Sequence, residues 1–184
     1  MKSKIKSISK ERQDGLYPLY QQSPELAMIT DQAISRGGVE KGPFHGNVQA
    51  GDPEKDPIIP FGIHKAVGGY SDIPNPGDFL CAALASCLDS TIRIIADRLN
   101  VTLTFLEVEV KGEVDVRGTL LISRETPIGF QKLNCKVNIE AAAGTAPELL
   151  NNLLVFAEHS CVNMQTLRNG VEIETQLTNK SQLE

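Results

Sequence analysis

The order of hydrophobic patterns along the chain predicts a single α+β domain. A long apolar segment over 76–99 has the composition of a buried helix. Two later segments, over 106–116 and 133–141, alternate apolar and polar residues as half-buried strands do. At 184 residues with 41% hydrophobic content, the chain is long enough to bury a core around such elements.

The domain is expected to occupy residues 26–178. Residues 1–25 are polar and irregular, and we interpret them as a partly ordered extension, with 179–184 as a C-terminal tail. The net charge of −5 argues against nucleic acid as a partner, because phosphates require a basic face. Neither a signal-peptide core nor a membrane-spanning stretch is expected, and we place the chain in the cytoplasm, away from membranes.

The elements expected before the long helix belong to a small antiparallel sheet. Arg36 precedes two glycines, so a turn at 36–38 separates a first strand from a returning one. The expected elements are a strand over 26–35, the returning strand over 44–50, a loop over 51–57 and a short extended piece over 58–63.

The long helix carries clear start and stop signals. Asn75 is a suitable N-cap, and Pro76 suits the first helical position. Residues 79–88 are apolar nearly all round, which is typical of a helix buried on every side. Asn100 is a suitable stop, so we expect the helix to run from 76 to 99.

The second half of the chain is expected to alternate strands with one further helix. A glycine inside the first of these strands favours a bend or bulge there. In order, the expected elements are a strand over 106–116 with the bend at Gly112, a strand over 133–141, a helix that a capping box at 145–148 opens and that reaches Cys161, and a closing strand over 171–177 after a turn at Asn169 and Gly170.

Two of the four cysteines, Cys87 and Cys161, are candidates for catalysis. Each lies in a helix-patterned apolar segment, and a thiol on a rigid helix can act as a nucleophile if its thiolate is stabilised. A second thiol within disulfide reach can then resolve the oxidised product. The alternative for both is a small core hydrophobe, since free cysteine is among the most buried residue types. Cys81 and Cys135 fit that structural role better, with Cys135 facing the core beside Leu133.

A thiolate needs a cation, and four side chains are candidates. Arg36 lies in a glycine-rich turn that could deliver a charge to the site. Arg93 is on the same helix as Cys87 but on another face, and Lys65 and Arg168 are further candidates.

The histidines allow a different hypothesis, in which the protein is a cysteine-dependent hydrolase. Such an enzyme would need His45 or His64 to act as the base for Cys87. His159 is only two residues from Cys161, so the two side chains do not share a helix face and a zinc site on that pair is not expected.

Two segments of the chain resemble the cysteine motifs of one known family. Residues 75–88, Asn-Pro-Gly-Asp-Phe-Leu-Cys-Ala-Ala-Leu-Ala-Ser-Cys-Leu, are similar to the central-helix motif of the OsmC/Ohr thiol peroxidases, named for osmotically inducible protein C and organic hydroperoxide resistance protein. Residues 158–162, Glu-His-Ser-Cys-Val, resemble the second cysteine helix of that family. The resemblance covers roughly 26–178 and marks the chain as a divergent OsmC-like member.

The resemblance implies a fold and an activity. The fold is an intertwined homodimer in which curved antiparallel sheets wrap long central helices. The activity is the reduction of organic hydroperoxides, and of hydrogen peroxide as a further substrate, in the response to oxidative stress. The cysteine at Cys87 attacks the peroxide and the one at Cys161 resolves the product. Arg36 stabilises the thiolate, and an external dithiol such as a lipoyl group, with no bound cofactor or metal, reduces the disulfide.

The chain departs from the family pattern at the helix start. The Glu that the Ohr branch carries ten residues before the first cysteine is Gly77 here, which leaves the shorter and displaced Asp78 as the nearest partner for Arg36. The proline that usually follows the second cysteine is Val162. These departures favour, as the alternative to a peroxidase, a non-catalytic protein of the same fold that binds a small apolar ligand.

Overall fold

A computed structural model describes residues 6–36, 40 and 42–178. These residues form five strands, two short 3-10 helices (Pro24–Ala27 and Lys65–Val67) and six α-helices. The helices are α1 Ile8–Gln13, α2 Leu16–Gln22, α3 Pro76–Arg98, α4 Val116–Thr119, α5 Pro147–Ser160 and α6 Val162–Asn169. The strands are β1 Ala33–Ser35, β2 His45–Ala50, β3 Ile58–Gly62, β4 Leu103–Glu113 and β5 Lys132–Ala141.

Helix α3 confirms the predicted start and, to within a residue, the predicted end. The Asn75 side chain accepts a hydrogen bond from the Gly77 N–H at 2.8 Å, and the Asp78 carboxylate accepts one from the Asn75 N–H at 2.8 Å. This reciprocal pair is a capping box, which satisfies otherwise unpaired N–H groups of the first turn. After Arg98 the chain leaves the helix, and Asn100 takes a left-handed conformation with φ of 56°.

Helix α3 is not buried on every side within this chain. Its buried residues form one stripe at helical spacing: Leu84, Leu88, Ile92 and Ala96. On the opposite face Ala82, Ala83 and Ser86 are exposed. Contrary to the expectation from sequence, α3 is long and apolar enough to cross a membrane by length and composition alone. Because one stripe packs in a protein core, this is weak evidence for a membrane span.

The core lies between α3, α5, α6 and the two-stranded sheet. Strands β4 and β5 pair antiparallel, with Val110 opposite Cys135, and β4 packs on α3. Strand β4 ends three residues earlier than predicted because Asp115 caps α4 by accepting from the Arg117 N–H at 3.0 Å. The irregularity in the ladder lies between Leu103 and Phe105 and not at Gly112, so the predicted position of the bulge is wrong.

Helix α5 confirms the second predicted helix but starts and ends differently. Ala146 occupies the N-cap position without a side-chain bond, and the Thr145 hydroxyl donates to the Ala142 carbonyl at 2.8 Å. The predicted capping box is therefore wrong. The helix stops at Ser160, and Cys161 separates it from α6 with an extended backbone of φ −73° and ψ 109°.

The first three strands form a separate antiparallel sheet in the order β1-β2-β3. The first strand is much shorter than predicted, since a 3-10 helix begins at Pro24 and β1 covers only Ala33–Ser35. Large apolar side chains of this sheet, Ile34, Ile58 and Ile59, are 40% or more exposed. The sheet thus presents an uncovered apolar surface. Of the predicted turn, Arg36 is described, and Gly37 and Gly38 lie outside the described residues.

The N-terminal segment is helical where irregular structure was predicted. Ser7 caps α1 by accepting from the Lys10 N–H at 3.1 Å. Helix α1 docks on the end of α3 through Asp97, whose carboxylate accepts from the Ser7 hydroxyl at 2.8 Å and the Ser9 N–H at 2.6 Å. The Arg98 guanidinium pairs with the Asp14 carboxylate at 2.9 Å. These contacts are long-range, so local sequence patterns did not reveal them.

The predicted closing strand over 171–177 does not form within the described chain. Residues 171–178 pair with no strand there, and the apolar side chains at alternating positions are mostly exposed: Val171 67%, Ile173 81% and Leu177 92%. The period-two pattern requires a neighbouring strand, and no sheet edge formed by residues 6–36, 40 and 42–178 supplies one to this segment.

Candidate active site

The two predicted cysteines lie on elements that pack against each other. Cys87 is on α3, next to the buried stripe, and is partly buried. Cys161 is fully buried at the break between α5 and α6. Its N–H donates to the Ala157 carbonyl at 2.9 Å, and its carbonyl accepts from the Gln165 N–H at 3.0 Å. Backbone bonds on both sides therefore hold Cys161 where the helix breaks.

Although 74 positions separate the two residues in sequence, Cys87 packs against the buried cluster that contains Cys161, close enough to affect the Cys161 thiol. Burial raises the pKa of the Cys161 thiol above its ordinary value, and the adjacent Cys87 thiol raises it further. The N–H groups of Met164 and Asn163 act in the opposite direction without reversing the shift. Cys161 is consequently a neutral thiol at neutral pH.

A side-chain hydrogen bond fixes the start of α6 against α3. The Asn163 amide group donates to the Ala83 carbonyl at 2.8 Å, one turn before Cys87. The Gln165 amide group donates to the Glu158 carbonyl at 2.8 Å and bridges the break between α5 and α6. The Asn163 bond ties the start of α6 to the helix that carries Cys87, and the Gln165 bond stabilises the break at Cys161. Together they position the two cysteines relative to each other.

Arg36 and Asp78 do not come together with Cys87 among the described residues. Arg36 is exposed and follows β1, in the three-stranded sheet, whereas Cys87 lies in the core with the other sheet. The Asp78 carboxylate accepts from the backbone N–H and the side-chain amide of Asn75, at 2.8 and 2.6 Å. Since the capping box uses this carboxylate, it is not available to hold Arg36 in the arrangement seen here.

Two of the other candidate cations, Arg93 and Arg168, have local acidic partners. The Arg93 guanidinium pairs with the Asp89 carboxylate at 2.6 Å on the same helix. The Arg168 guanidinium pairs with the Glu158 carboxylate at 3.0 Å. Lys65 lies in a 3-10 helix after the first sheet.

The histidines that a hydrolase would need are engaged away from Cys87. The His45 imidazole lies 2.8 Å from the Asp72 carboxylate and stacks on the Tyr70 ring at 5.5 Å. His45 lowers the pKa of Asp72 through this contact. The His64 Nδ1 accepts from the Ala66 N–H at 3.0 Å. Among residues 6–36, 40 and 42–178, no cluster of three potential ligands could hold a metal ion.

The other two cysteines lie apart from the thiol pair. Cys81 lines a cavity of about 1200 Å³, and burial, followed by the charge of Asp78, raises its pKa. Cys135 is in phase with Leu133 on β5, as expected, but it is exposed within this chain instead of facing a closed core. Burial of its sulfur and the Glu158 charge raise the pKa of Cys135. Neither shift favours a thiolate.

Phe130 at this cavity is a residue that the sequence analysis missed. A Cβ on Gly77 would lie 3.2 Å from the Phe130 Cζ, and a Cβ on Gly112 would collide with the same ring. Any side chain at position 77 would therefore crowd the Phe130 ring. The only signal in the sequence was the pair of glycines, Gly77 and Gly112, that leave room for the ring. Sequence alone does not show that these two glycines lie close together.

A small α+β protein with a thiol pair between its long central helix and a second, broken helix is the class that this fold and site define. The sequence model of the OsmC-like protein family matches residues 69–176, which is more than half of the chain. The chain therefore belongs to the OsmC-like family, and the resemblance noted from its two cysteine motifs is confirmed. No curated protein matches the sequence.

Solved structures of the same fold include several from this family. An organic hydroperoxide resistance protein from Elizabethkingia anophelis is 19% identical, with a TM-score of 0.60 over 79% of this chain and 92% of that one. An OsmC-like protein of unknown function from Vibrio cholerae is 12% identical, with a TM-score of 0.61 over 76% and 94%. An organic hydroperoxide resistance protein from Legionella pneumophila is 20% identical, with a TM-score of 0.56 over 79% and 93%. The predicted α+β fold, with antiparallel sheets and a long central helix, is confirmed.

Proposed function

We propose that this protein is a thiol-dependent peroxidase that reduces organic hydroperoxides by a two-cysteine mechanism. The observation that carries the proposal is the proximity of the Cys87 and Cys161 thiols across α3 and the break before α6. Family membership supports it, since proteins of the same fold are named for organic hydroperoxide resistance.

The proposed cycle has three steps. The Cys87 thiolate attacks the terminal oxygen of the hydroperoxide, the O–O bond breaks, and a proton completes the alcohol, leaving Cys87 as a sulfenic acid. The Cys161 sulfur then attacks the Cys87 sulfur, a disulfide forms, and water leaves with the Cys161 proton. An external dithiol, such as a lipoyl group, reduces the disulfide by exchange and is itself oxidised to a cyclic disulfide.

The burial of the two thiols supports this division of roles. Cys87 is partly exposed, whereas Cys161 is fully buried and its raised pKa keeps it protonated. A buried neutral thiol is a poor first nucleophile, since the thiolate is the reactive form. It can still resolve a sulfenic acid that forms beside it. The four free cysteines also suit a reducing cytoplasm, where a dithiol reductant is available.

A homodimer is part of the proposal, with Arg36 stabilising the Cys87 thiolate once a second copy covers the first sheet. The uncovered isoleucines of that sheet and the exposed alternating residues of 171–177 both require partners that one copy lacks. Sedimentation at micromolar concentration is expected to give a dimer, and truncation after Gly170 to give more monomer. A wild-type chain that sediments as a monomer would remove this part of the proposal.

Consumption of cumene hydroperoxide by the reduced protein tests the proposed activity. Replacing Cys87 with Ser should abolish turnover. Replacing Cys161 with Ser should leave one fast turnover, after which Cys87 accumulates as sulfenic acid and proceeds to sulfinic acid. The Cys135→Ser variant is the matched control and should turn over at the wild-type rate. Peroxide consumption that survives Cys87→Ser would contradict the proposal.

A further inference from the structure

Two side chains of α6 bind the same residue of α5 across the break at Cys161. The Gln165 amide group donates to the Glu158 carbonyl at 2.8 Å, and the Arg168 guanidinium pairs with the Glu158 carboxylate at 3.0 Å. Glu158 lies in the last turn of α5. These two contacts form the Glu158 clamp. Because both cross the break, they hold α5 and α6 at the angle at which the Cys161 side chain is fully buried.

Helix α6 is a short element between two non-helical positions. It spans Val162–Asn169, with the extended Cys161 before it and Gly170, at a φ of 72°, after it. Its buried residue is Met164. Besides this side chain, the Asn163 bond to α3 and the clamp hold the helix in place. A segment with so few buried contacts opens at a lower free-energy cost than the core.

The clamp is weak enough to open during a catalytic cycle. The Arg168 and Glu158 side chains of the ion pair are 55% and 41% exposed, and an ion pair exposed to this extent contributes little to stability. The amide hydrogen bond of Gln165 adds a modest net contribution. Together the two contacts are expected to favour the closed position of α6 over an open one by about tenfold.

The two halves of the proposed cycle place opposite demands on Cys161. Disulfide formation needs its sulfur held beside Cys87. Reduction needs the same sulfur released, because an external dithiol reaches the partly exposed Cys87 first and Cys161 must then leave as a thiolate. Cys161 is 0% exposed, and a site without water disfavours the charged leaving group. Rotation of α6 outward about Cys161 and Gly170 would bring this sulfur into water.

We propose that Glu158 is a positioning residue that keeps α6 closed while the disulfide forms, and that an external dithiol reduces the disulfide through an open position of α6. This rests on the proposed function, since it assigns two steps of that cycle. One sulfur of the dithiol bonds to Cys87 as the bond to Cys161 breaks. The second then bonds to the first, Cys87 leaves, and the dithiol becomes a cyclic disulfide. The two protons that the dithiol releases balance the two protein thiolates.

The rate of disulfide reduction tests the clamp directly. The disulfide between Cys87 and Cys161 is formed with diamide, so the measurement needs no peroxidase activity, and the protein is mixed with dihydrolipoamide and quenched in acid. Glu158→Gln is expected to speed reduction by roughly 2- to 10-fold, because the open position becomes more populated. Gln165→Ala should act in the same direction. Reduction that is unchanged or slower in both variants would overturn the proposal.

A matched ion pair elsewhere in the chain controls for the change in charge. The Lys111 ammonium group pairs with the Glu109 carboxylate at 2.8 Å, on β4, with comparable exposure. Glu109→Gln should therefore leave the rate of reduction at the wild-type value. Arg168→Gln removes the same ion pair as Glu158→Gln and should reproduce its effect. Equal acceleration by Glu109→Gln would show that net charge, and not the clamp, sets the rate.

Labelling of Cys161 separates the clamp from the peroxide chemistry. In the reduced Cys87→Ser protein, N-ethylmaleimide reaches the buried Cys161 when α6 opens, and Glu158→Gln should speed this labelling at least about twofold while that of Cys81 stays constant. Unchanged labelling of Cys161 would refute the clamp, even in a protein that reduces peroxide. Faster labelling and faster disulfide reduction in a protein that consumes no peroxide would support the clamp and contradict the proposed function alone.

Discussion

The contact between Phe130 and Gly112 makes a quantitative prediction about stability. An alanine Cβ at position 112 would collide with the Phe130 ring and lie 3.1 Å from the Leu133 Cδ2. Leu133 belongs to β5, and Phe130 belongs to the loop that precedes this strand. The Gln131 amide group holds that loop by donating to the Pro127 and Gly129 carbonyls, so the ring cannot move without disturbing the cavity wall. Overpacking of this kind typically costs about 1–3 kcal/mol, and we expect Gly112→Ala to destabilise the protein by about 2 kcal/mol.

Removing the ring should abolish the cost of alanine at position 112. Phe130→Ala is expected to cost about 2 kcal/mol, less than a fully buried phenylalanine because the ring is only partly buried. In that background an alanine at 112 meets no ring, and alanine is roughly 0.5–1 kcal/mol better than glycine inside a strand. The double variant should therefore be as stable as Phe130→Ala, with a coupling of about 2 kcal/mol or more between the two sites.

Urea unfolding of the four proteins at one fixed protein concentration measures this coupling, since association would otherwise shift the midpoints. Gly15→Ala is the matched control, because a Cβ there meets nothing within 4 Å and the backbone φ is −73°. Its effect should stay within about 0.5 kcal/mol. If the two changes at 112 and 130 simply add, the ring does not occupy the space above Gly112.

Two further predictions concern the thiol pair. Asn163→Ala removes the 2.8 Å bond to the Ala83 carbonyl, and a net hydrogen-bond contribution of about 0.5–1.5 kcal/mol should slow disulfide formation after peroxide addition by roughly 2- to 10-fold, as read by stopped-flow thiol loss, with sulfenic acid formation unchanged. Because the pKa values of Cys81, Cys135 and Cys161 are raised in the folded protein, their contribution to stability is complete below the unfolded thiol pKa of about 8.5 and falls as the pH rises through the folded values. Urea midpoints should therefore decline in alkaline buffer, less so for Cys161→Ser, and an equal decline in both proteins would contradict the assignment.

The sequence predicted elements whose signals are local. Helix α3 has an N-cap, a proline at its start and a continuous apolar stretch, and all three signals lie within the element itself. Strand β5 alternates without interruption and was predicted to within a residue of its bounds. Where a local signal competes with another, the prediction failed. The Thr145 hydroxyl bonds back to Ala142, so the expected capping box does not form.

Elements whose stability depends on distant contacts were not predictable from the sequence. The sequence of α1 is too polar and too short to indicate an independent helix. Its docking depends on Asp97, which lies 90 positions after Ser7 and 88 after Ser9. The strand predicted over 171–177 has the correct alternation but no partner in the described chain. A periodic pattern indicates which conformation a segment can adopt, and a neighbouring edge decides whether it does.

The proximity of the two candidate cysteines also depends on contacts that a sequence pattern shows only in part. Motif resemblance singled out Cys87 and Cys161, and the fold places them together because α5 breaks at Cys161 and Asn163 ties α6 to α3. That break has no strong signal in the sequence, since the apolar spacing of α5 continues through it. The seat of Phe130 between Gly77 and Gly112 joins three segments, and only the fold shows that they meet.

The change from Glu to Gly77 alters two properties at once, and this links the thiol site to the cavity. In the proposed mechanism a glutamate there would orient Arg36, and its Cβ would also crowd the Phe130 ring. With glycine, the ring closes the wall, and the neighbouring Asp78 stays bonded to Asn75. Without a carboxylate at position 77, nothing there would compete with the Cys87 thiolate for the Arg36 guanidinium. The same absence leaves no carboxylate at that position to hold Arg36 in place. If Arg36 activates Cys87 as proposed, that activation would depend on how firmly a second copy fixes the sheet that carries Arg36, so the proposed chemistry would require the proposed dimer.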